Sequence, residues 1–344
     1  MSHGAPSPSA NPILVEVTRG QVVESRHRGA AAIVRLDGTV VESWGDIEAS
    51  VYPRSALKPF QALPLIETGA AEAFAVTEAE IALACASHTG ESVHVEAVRA
   101  WLDRLDLSAA DLACGGHFST HAVVAQEQVM AGVRDPDATF NNCSGKHTGF
   151  LTVAKHTGVP LRGYHQAHHP IQQRVLGVLE FMAGLNLSGD PLPCAVDGCS
   201  APIWAVPLGN LALAWARLAA PEDLPPARAL AARQILSAMA AHPYLVAGRD
   251  RACTKIIEAC QGEAVVKVGA EGVYCAALPA HGLGIALKID DGAARAAEAV
   301  LAALLLRAGL DHGTTVLETL VRQEIFSWRG EKVGVLSATQ TIIP

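Results

Sequence analysis

Over the first fifty residues the apolar positions come in short blocks separated by turn residues. Ile13 to Val17 is one such block, and Ala30 to Val34 and Thr39 to Trp44 flank Asp37-Gly38, a strong hairpin signal. This pattern predicts strands. From Ser55 to about Ala240 the apolar residues recur at helical spacing. The first predicted helix runs from Ser55 to Glu67 and is closed by Gly69. Thr77-Glu78-Ala79-Glu80 reads as a capping box that opens a short helix ending near Cys85. Further helices are predicted over Ser92 to Leu105, Ala122 to Gly132, Gly145 to His156, Pro170 to Ala183, Leu208 to Leu218 and Pro226 to Ala240. The period then reverts. Ala264 to Val268, Gly272 to Leu278 and Leu283 to Ile289 read as three short strands joined by glycine-rich turns. Gly292 to Leu310 is a long Ala/Leu helix, and Thr314 to Arg322 is another.

Strands, a helical block, strands again and a long helix point to an α+β fold. The simplest version is one antiparallel sheet built from both chain ends, covered by the C-terminal helix, with the helical block inserted. The expected organisation is a flexible tail over 1–12 and a single catalytic unit over 13–344. Within that unit, about 13–54 and 262–344 form an α/β part and about 55–261 a mainly helical part.

Composition narrows the function classes. Half of the 344 residues are apolar, ample for a packed core. A formal net charge of −8 disfavours nucleic acid and anionic membranes as partners. The most apolar window, Ile203 to Ala220, is interrupted by Pro207, Gly209, Asn210 and Arg217, which suits a buried helix better than a membrane span. The first residues lack the pattern of a secretory signal. Eight cysteines without a Cys-x-x-Cys pair then read as reduced thiols, most of them in the core, in a cytoplasmic protein.

The candidate chemistry begins at Ser55-Ala56-Leu57-Lys58. On a helix, positions i and i+3 share a face, so Lys58 is expected to reach the Ser55 hydroxyl. A desolvated lysine acts as a general base and turns serine into an acyl-transfer nucleophile. The same tetrapeptide equally describes a capping serine followed by an exposed lysine. Lys267-Val268-Gly269 ends a predicted strand, where a serine acylase with Ser-x-x-Lys carries Lys-Thr-Gly; here the middle residue is Val. Ser87 stands on a polar loop and is placed to be a second site serine. Two pairs result, Ser55 with Lys58 and Ser87 with Lys267. The alternative is that Ser87 caps the next helix and Lys267 is a surface residue. Cys143, Lys146 and His147 share one helical face, and Asp197-Gly198-Cys199-Ser200 is a second polar loop. Two thiolates with a further donor suit Zn²⁺, while buried thiols beside a helix start fit the same residues. Gly145-Lys146 lacks the upstream glycine of a phosphate loop, and Gly-x-Ser-x-Gly is absent.

Taken together, Ser55-x-x-Lys58, Ala86-Ser87-His88-Thr89-Gly90-Glu91, Asn142-Cys143-Ser144-Gly145-Lys146-His147, Val196-Asp197-Gly198-Cys199 and Lys267-x-Gly269-Ala270-Glu271-Gly272 resemble the Rhizobium etli-type L-asparaginases. The resemblance runs from about residue 13 to 340. It implies the fold of serine β-lactamases, penicillin-binding proteins and serine glutaminases, and hydrolysis of L-asparagine to L-aspartate and ammonia. It implies two Ser-Lys tandems, Ser55/Lys58 and Ser87/Lys267, and zinc held by Cys143, Lys146 and Cys199 with Asp197 nearby. His88 and Asp197 fall on the substrate side, and the family forms homodimers. Lys58, directly or through Ser87 and Lys267, would take the Ser55 proton. Neither Ser-x-Asn nor Tyr-x-Asn occurs near Ser87, which favours amide over β-lactam hydrolysis. The rivals are a glutaminase of the same fold, a penicillin-recognising peptidase and a non-enzymatic zinc-binding protein.

Overall fold

The computed structural model describes residues 10–187 and 194–343, so of the tail expected over 1–12, residues 1–9 lie outside the described residues. The chain opens with strands β1 (Ile13–Arg19), β2 (Val22–Arg35), β3 (Val40–Trp44) and β4 (Ser50–Val51). Helices α1 (Lys58–Glu67), α2 (Ala70–Ala73), α3 (Glu78–Ala84), α4 (Ser92–Arg104), α5 (Ala122–Met130), α6 (Ser144–Thr157) and α7 (Pro170–Ala183) follow. Short strands β5 (Cys194–Val196), β6 (Pro202–Trp204) and β7 (Val206–Pro207) lead to α8 (Leu208–Ala219), α9 (Pro226–Ala241), α10 (Pro243–Ala247) and α11 (Ala252–Cys260). The chain closes with β8 (Val265–Val268), β9 (Val273–Leu278), β10 (Leu283–Ile289), α12 (Ala294–Arg307), α13 (Thr314–Val321), β11 (Arg322–Phe326) and β12 (Lys332–Ala338).

Both chain ends build one antiparallel sheet in the order β11-β12-β1-β2-β10-β9-β8, with β3 also on β2. The α+β class and the inserted helical block are therefore as expected. Strand β2 is long enough to change partners: residues 22–28 pair with β1, and Ala31 to Val34 pair with β3. Its burial changes at the same place. Val22 to Arg26 alternate between exposed and half-buried, whereas Ala30 to Val34 are buried at every position. A strand covered on both faces reads this way. Helices α8 and α12 both pack on β9 and β10, and α8, from the helical block, is the larger cover for β2.

Several expectations are corrected. The helix predicted from Ser55 begins at Lys58, and Ser55 lies in a 3-10 turn, Arg54–Leu57. The helix predicted to Arg322 ends at Val321, and Arg322 starts β11. Strands β11 and β12, half-buried and mixed in polarity, carry too little apolar signal to be predicted. Helices α10 and α11 are short and were likewise not predicted. The Thr77 capping box is present in both directions, with Thr77 accepting from the Glu80 backbone and Glu80 reaching back to the Thr77 N–H.

Candidate active site

Ser87 lies just after α3, on a buried stretch without regular structure. Its hydroxyl stands between two lysine amines, 2.9 Å from Lys58 Nζ and 2.8 Å from Lys267 Nζ. Both lysines are buried, at 1% and 0% exposure, so Lys267 is no surface residue. Lys58, the first residue of α1, also donates to the carbonyls of Ala86 and Asn142. An ammonium has three N–H donors, and these partners use all three. The expected direct contact with Ser55 is therefore not made: the i+3 spacing is right, but Lys58 is turned toward Ser87. Lys267 comes from β8, where Gly269 follows closely; a Cβ there would lie 2.5 Å from the Pro53 carbonyl oxygen. Only glycine lets β8 approach the chain that leads into Ser55 this closely. Burial, reinforced by the charge on Lys58, brings the Lys267 amine down to about 7.

Ser55 is half-buried, and its hydroxyl has no hydrogen-bond partner among the described residues. Arg54, just before it, holds a left-handed backbone (φ +51°) that side-chain-bearing residues rarely adopt. Its guanidinium pairs with Asp197 at 2.6 Å. Burial would raise the Asp197 carboxyl, but the charges of Lys146 and Arg54 hold it below its ordinary value.

A second centre gathers Cys143, Lys146 and Cys199, all about 3% exposed. Lys146 Nζ is 2.9 Å from Cys199 Sγ, and Asp197 Oδ2 lies 3.8 Å from the same sulfur. The two sulfurs interact, and the hydrogen bond from Cys199 holds the Cys143 thiol well below its usual range. The same bond, with burial, pushes Cys199 up. Burial alone would lower Lys146, but the facing sulfurs outweigh it and keep the amine above an ordinary lysine. The sequence-predicted residues thus form two adjoining groups, with Asn142 and Cys143 touching one each.

Residues 15–338, nearly the whole chain, match a family described as L-asparaginase II. The chain belongs to the L-asparaginase II family. The resemblance read from the motifs is borne out. No curated protein sequence matches the chain significantly. Among solved structures, Mglu in its native form in 4.3 M NaCl matches at 16% identity and a TM-score of 0.43, over 82% of this chain and 59% of that one. A beta-lactamase from Mycobacterium bovis matches at 14% identity and 0.37, over 78% and 89%. A class C beta-lactamase mutant matches at 14% identity and 0.39, over 78% and 89%. The chain thus spans less than two thirds of the Mglu chain.

In this L-asparaginase II family member the sulfur centre is suited to zinc by its donors: two sulfurs and one amine converge, with a carboxylate beside them. Among the described residues no group of three or more His, Cys, Asp or Glu is placed to hold a metal ion. His88, expected on the substrate side, is held by the protein at both ring nitrogens. Its Nδ1 accepts from the Gly90 N–H at 3.1 Å, and its Nε2 lies 2.9 Å from Ser144 Oγ, which donates to the Thr139 carbonyl. Burial, then the neighbouring charges of His94 and Lys58, holds the ring well below its ordinary value, so it is neutral. With both nitrogens taken by protein, His88 can contact substrate only by giving up a partner. Asp197, the other residue expected on substrate, is tied to Arg54. Sequence reasoning gave no role to Arg54, Asn142 or Glu91, although Arg54 adjoins Ser55 and Glu91 ends the Ser87 motif.

Proposed function

We propose that this protein hydrolyses L-asparagine to L-aspartate and ammonia with a serine nucleophile served by a two-lysine relay. The observation that carries the relay is Ser87 Oγ bracketed by Lys58 and Lys267. Ser55 Oγ attacks the side-chain amide carbon, and its proton passes through Ser87 to the neutral Lys267 amine. The C–N bond then breaks, and the nitrogen takes that proton and leaves as ammonia. Water attacks the aspartyl ester by the same route and restores Ser55. Substitution of Ser55 by Ala should remove ammonia release from L-asparagine, and Ser87→Ala or Lys267→Ala should lower it by about 10²–10⁴-fold, the scale of a lost proton-transfer group. L-Glutamine, assayed in parallel, tests the same-fold alternative; one methylene is worth only about 1–3 kcal/mol of discrimination.

A second reading makes Ser87 the nucleophile, because Ser87 alone among the two serines touches both amines. Trapping the acyl-enzyme and locating the modified serine by peptide mass decides between them. Zinc belongs to the same reading. Cys143, Lys146 and Cys199 would hold it, with Asp197 beside them, and the ion would supply positive charge to orient substrate. Asp197 and His88 are proposed to shape the substrate side, Asp197 through its ion pair with Arg54. We also propose a homodimer in a reducing cytoplasm; all eight cysteines are free, as such a compartment requires. Light scattering tests the dimer. No helix among the described residues is long and apolar enough to cross a membrane.

A further inference from the structure

Irregular buried backbone holds its place only if its polar groups are satisfied. The Ser87 N–H donates to the Val246 carbonyl at 2.9 Å, so the serine hangs on α10. The segment that follows α10 is clamped to the serine loop by one carboxylate. Glu91 Oε1 accepts from Thr89 Oγ1 at 2.6 Å and from the Arg249 N–H at 3.1 Å. Glu91 Oε2 accepts from the Tyr244 hydroxyl at 2.7 Å. Between Tyr244 and Arg249 the chain passes so close to Thr89 that a Cβ on Gly248 would lie 2.1 Å from Thr89 Oγ1, and Gly248 has φ +101°. Farther on, Cys253 Sγ accepts from the Val268 N–H at 3.3 Å, next to Lys267. Residues 243–253 therefore run as a strap from the backbone of Ser87 to the strand that carries Lys267.

We infer that Glu91 is a positioning residue: it locks this strap to the Ser87 loop and so sets the Ser87 hydroxyl between the two lysines. The inference rests on the Ser-Lys relay proposed above. Glu91 makes no contact with Lys58, Lys267 or Ser55 among the described residues, so it acts through Ser87. A carboxylate suits the position because every group facing it is a donor; an amide there would set its own N–H against one of them.

The test is a double-mutant cycle on the full-length protein with L-asparagine as substrate, comparing Glu91→Gln, Ser87→Ala and the pair. Glu91→Gln should lower kcat about ten- to hundredfold, the scale of a sub-ångström to ångström displacement, and leave KM within about threefold. In the Ser87→Ala background it should cost nothing further, because the group it positions is gone. Tyr244→Phe removes one donor and should lower kcat less, in the same direction; it serves if Glu91→Gln does not fold. Unchanged kcat in both variants, or losses that multiply in the double mutant, overturns the inference while leaving the relay intact. Full activity of Ser87→Ala overturns the relay and the inference with it.

Discussion

Lys267 and Lys146 are both enclosed by protein, and both stand at hydrogen-bond distance from a potential nucleophile. Lys267 faces a neutral hydroxyl and a second lysine, and burial takes its amine down to about 7. Lys146 faces two interacting sulfurs and the Asp197 carboxylate, and it is held above the ordinary lysine range. The desolvation is alike in kind; the neighbours differ. A buried lysine becomes a base where its neighbours are neutral or cationic, and a counter-ion where they are anionic. On the proposed reading, one residue type serves proton transfer in one centre and charge balance, or metal binding after proton loss, in the next.

The largest effect should come from Lys267→Met. Loss of a general base lowers kcat about 10²–10⁴-fold, read by ammonia release. The same change should raise the melting temperature near pH 7, since a buried, partly charged amine gives way to an apolar side chain of similar length. Lys146→Met should not raise it, because that substitution strips the sulfurs and Asp197 of their cation.

The pH dependence follows from the lowered Lys267 value. Its neutral form accumulates above about 7, so kcat/KM should rise through that pH and fall on acidification. Between about 7 and 10.5 the unfolded chain holds the Lys267 proton and the folded chain does not, so this residue's contribution to stability increases with pH across that window. A kcat/KM profile flat from pH 6 to 8 would remove Lys267 from the base role.

A smaller effect is expected at the sulfur centre. Lys146→Met should weaken zinc affinity at least about tenfold, measured by chelator competition. Zinc affinity of the unsubstituted protein should fall with pH, because thiol and amine must lose protons to bind metal. Smallest of all, Thr77→Ala removes the capping box of α3 and should cost about 1 kcal/mol of stability, with kcat unchanged. A loss of kcat there would mean that the Ser87 loop depends on the helix that precedes it.

Much of the fold was legible because its strands and helices are strongly patterned. Strand β10 was read to the residue, since Leu283 to Ile289 is an apolar run closed by Gly282 on one side and Asp290-Asp291-Gly292 on the other. Strand β12 escaped because it alternates only between half-buried and buried positions after Lys332, and Gly334 and Ser337 dilute its apolar signal. In the site, the helical spacing rule paired Lys58 with Ser55, yet Ala86, Ser87 and Asn142 took its three hydrogens. The contact between Ser87 and Lys267 joins positions 180 residues apart and is set by tertiary packing; the motifs suggested the pair, but no local spacing rule could favour it over a capping serine and a surface lysine. Glu91, Tyr244 and Arg249 meet through irregular chain, where local pattern carries no information about partners.

The most direct measurement is the ionisation of the two lysines in the metal-free protein. Carbon-labelled lysine, followed by NMR against pH and assigned with Lys267→Met and Lys146→Met, reads each amine separately. The account predicts that Lys267 titrates near pH 7 while Lys146 stays protonated beyond pH 10. Titration of both lysines together, in either range, would contradict it.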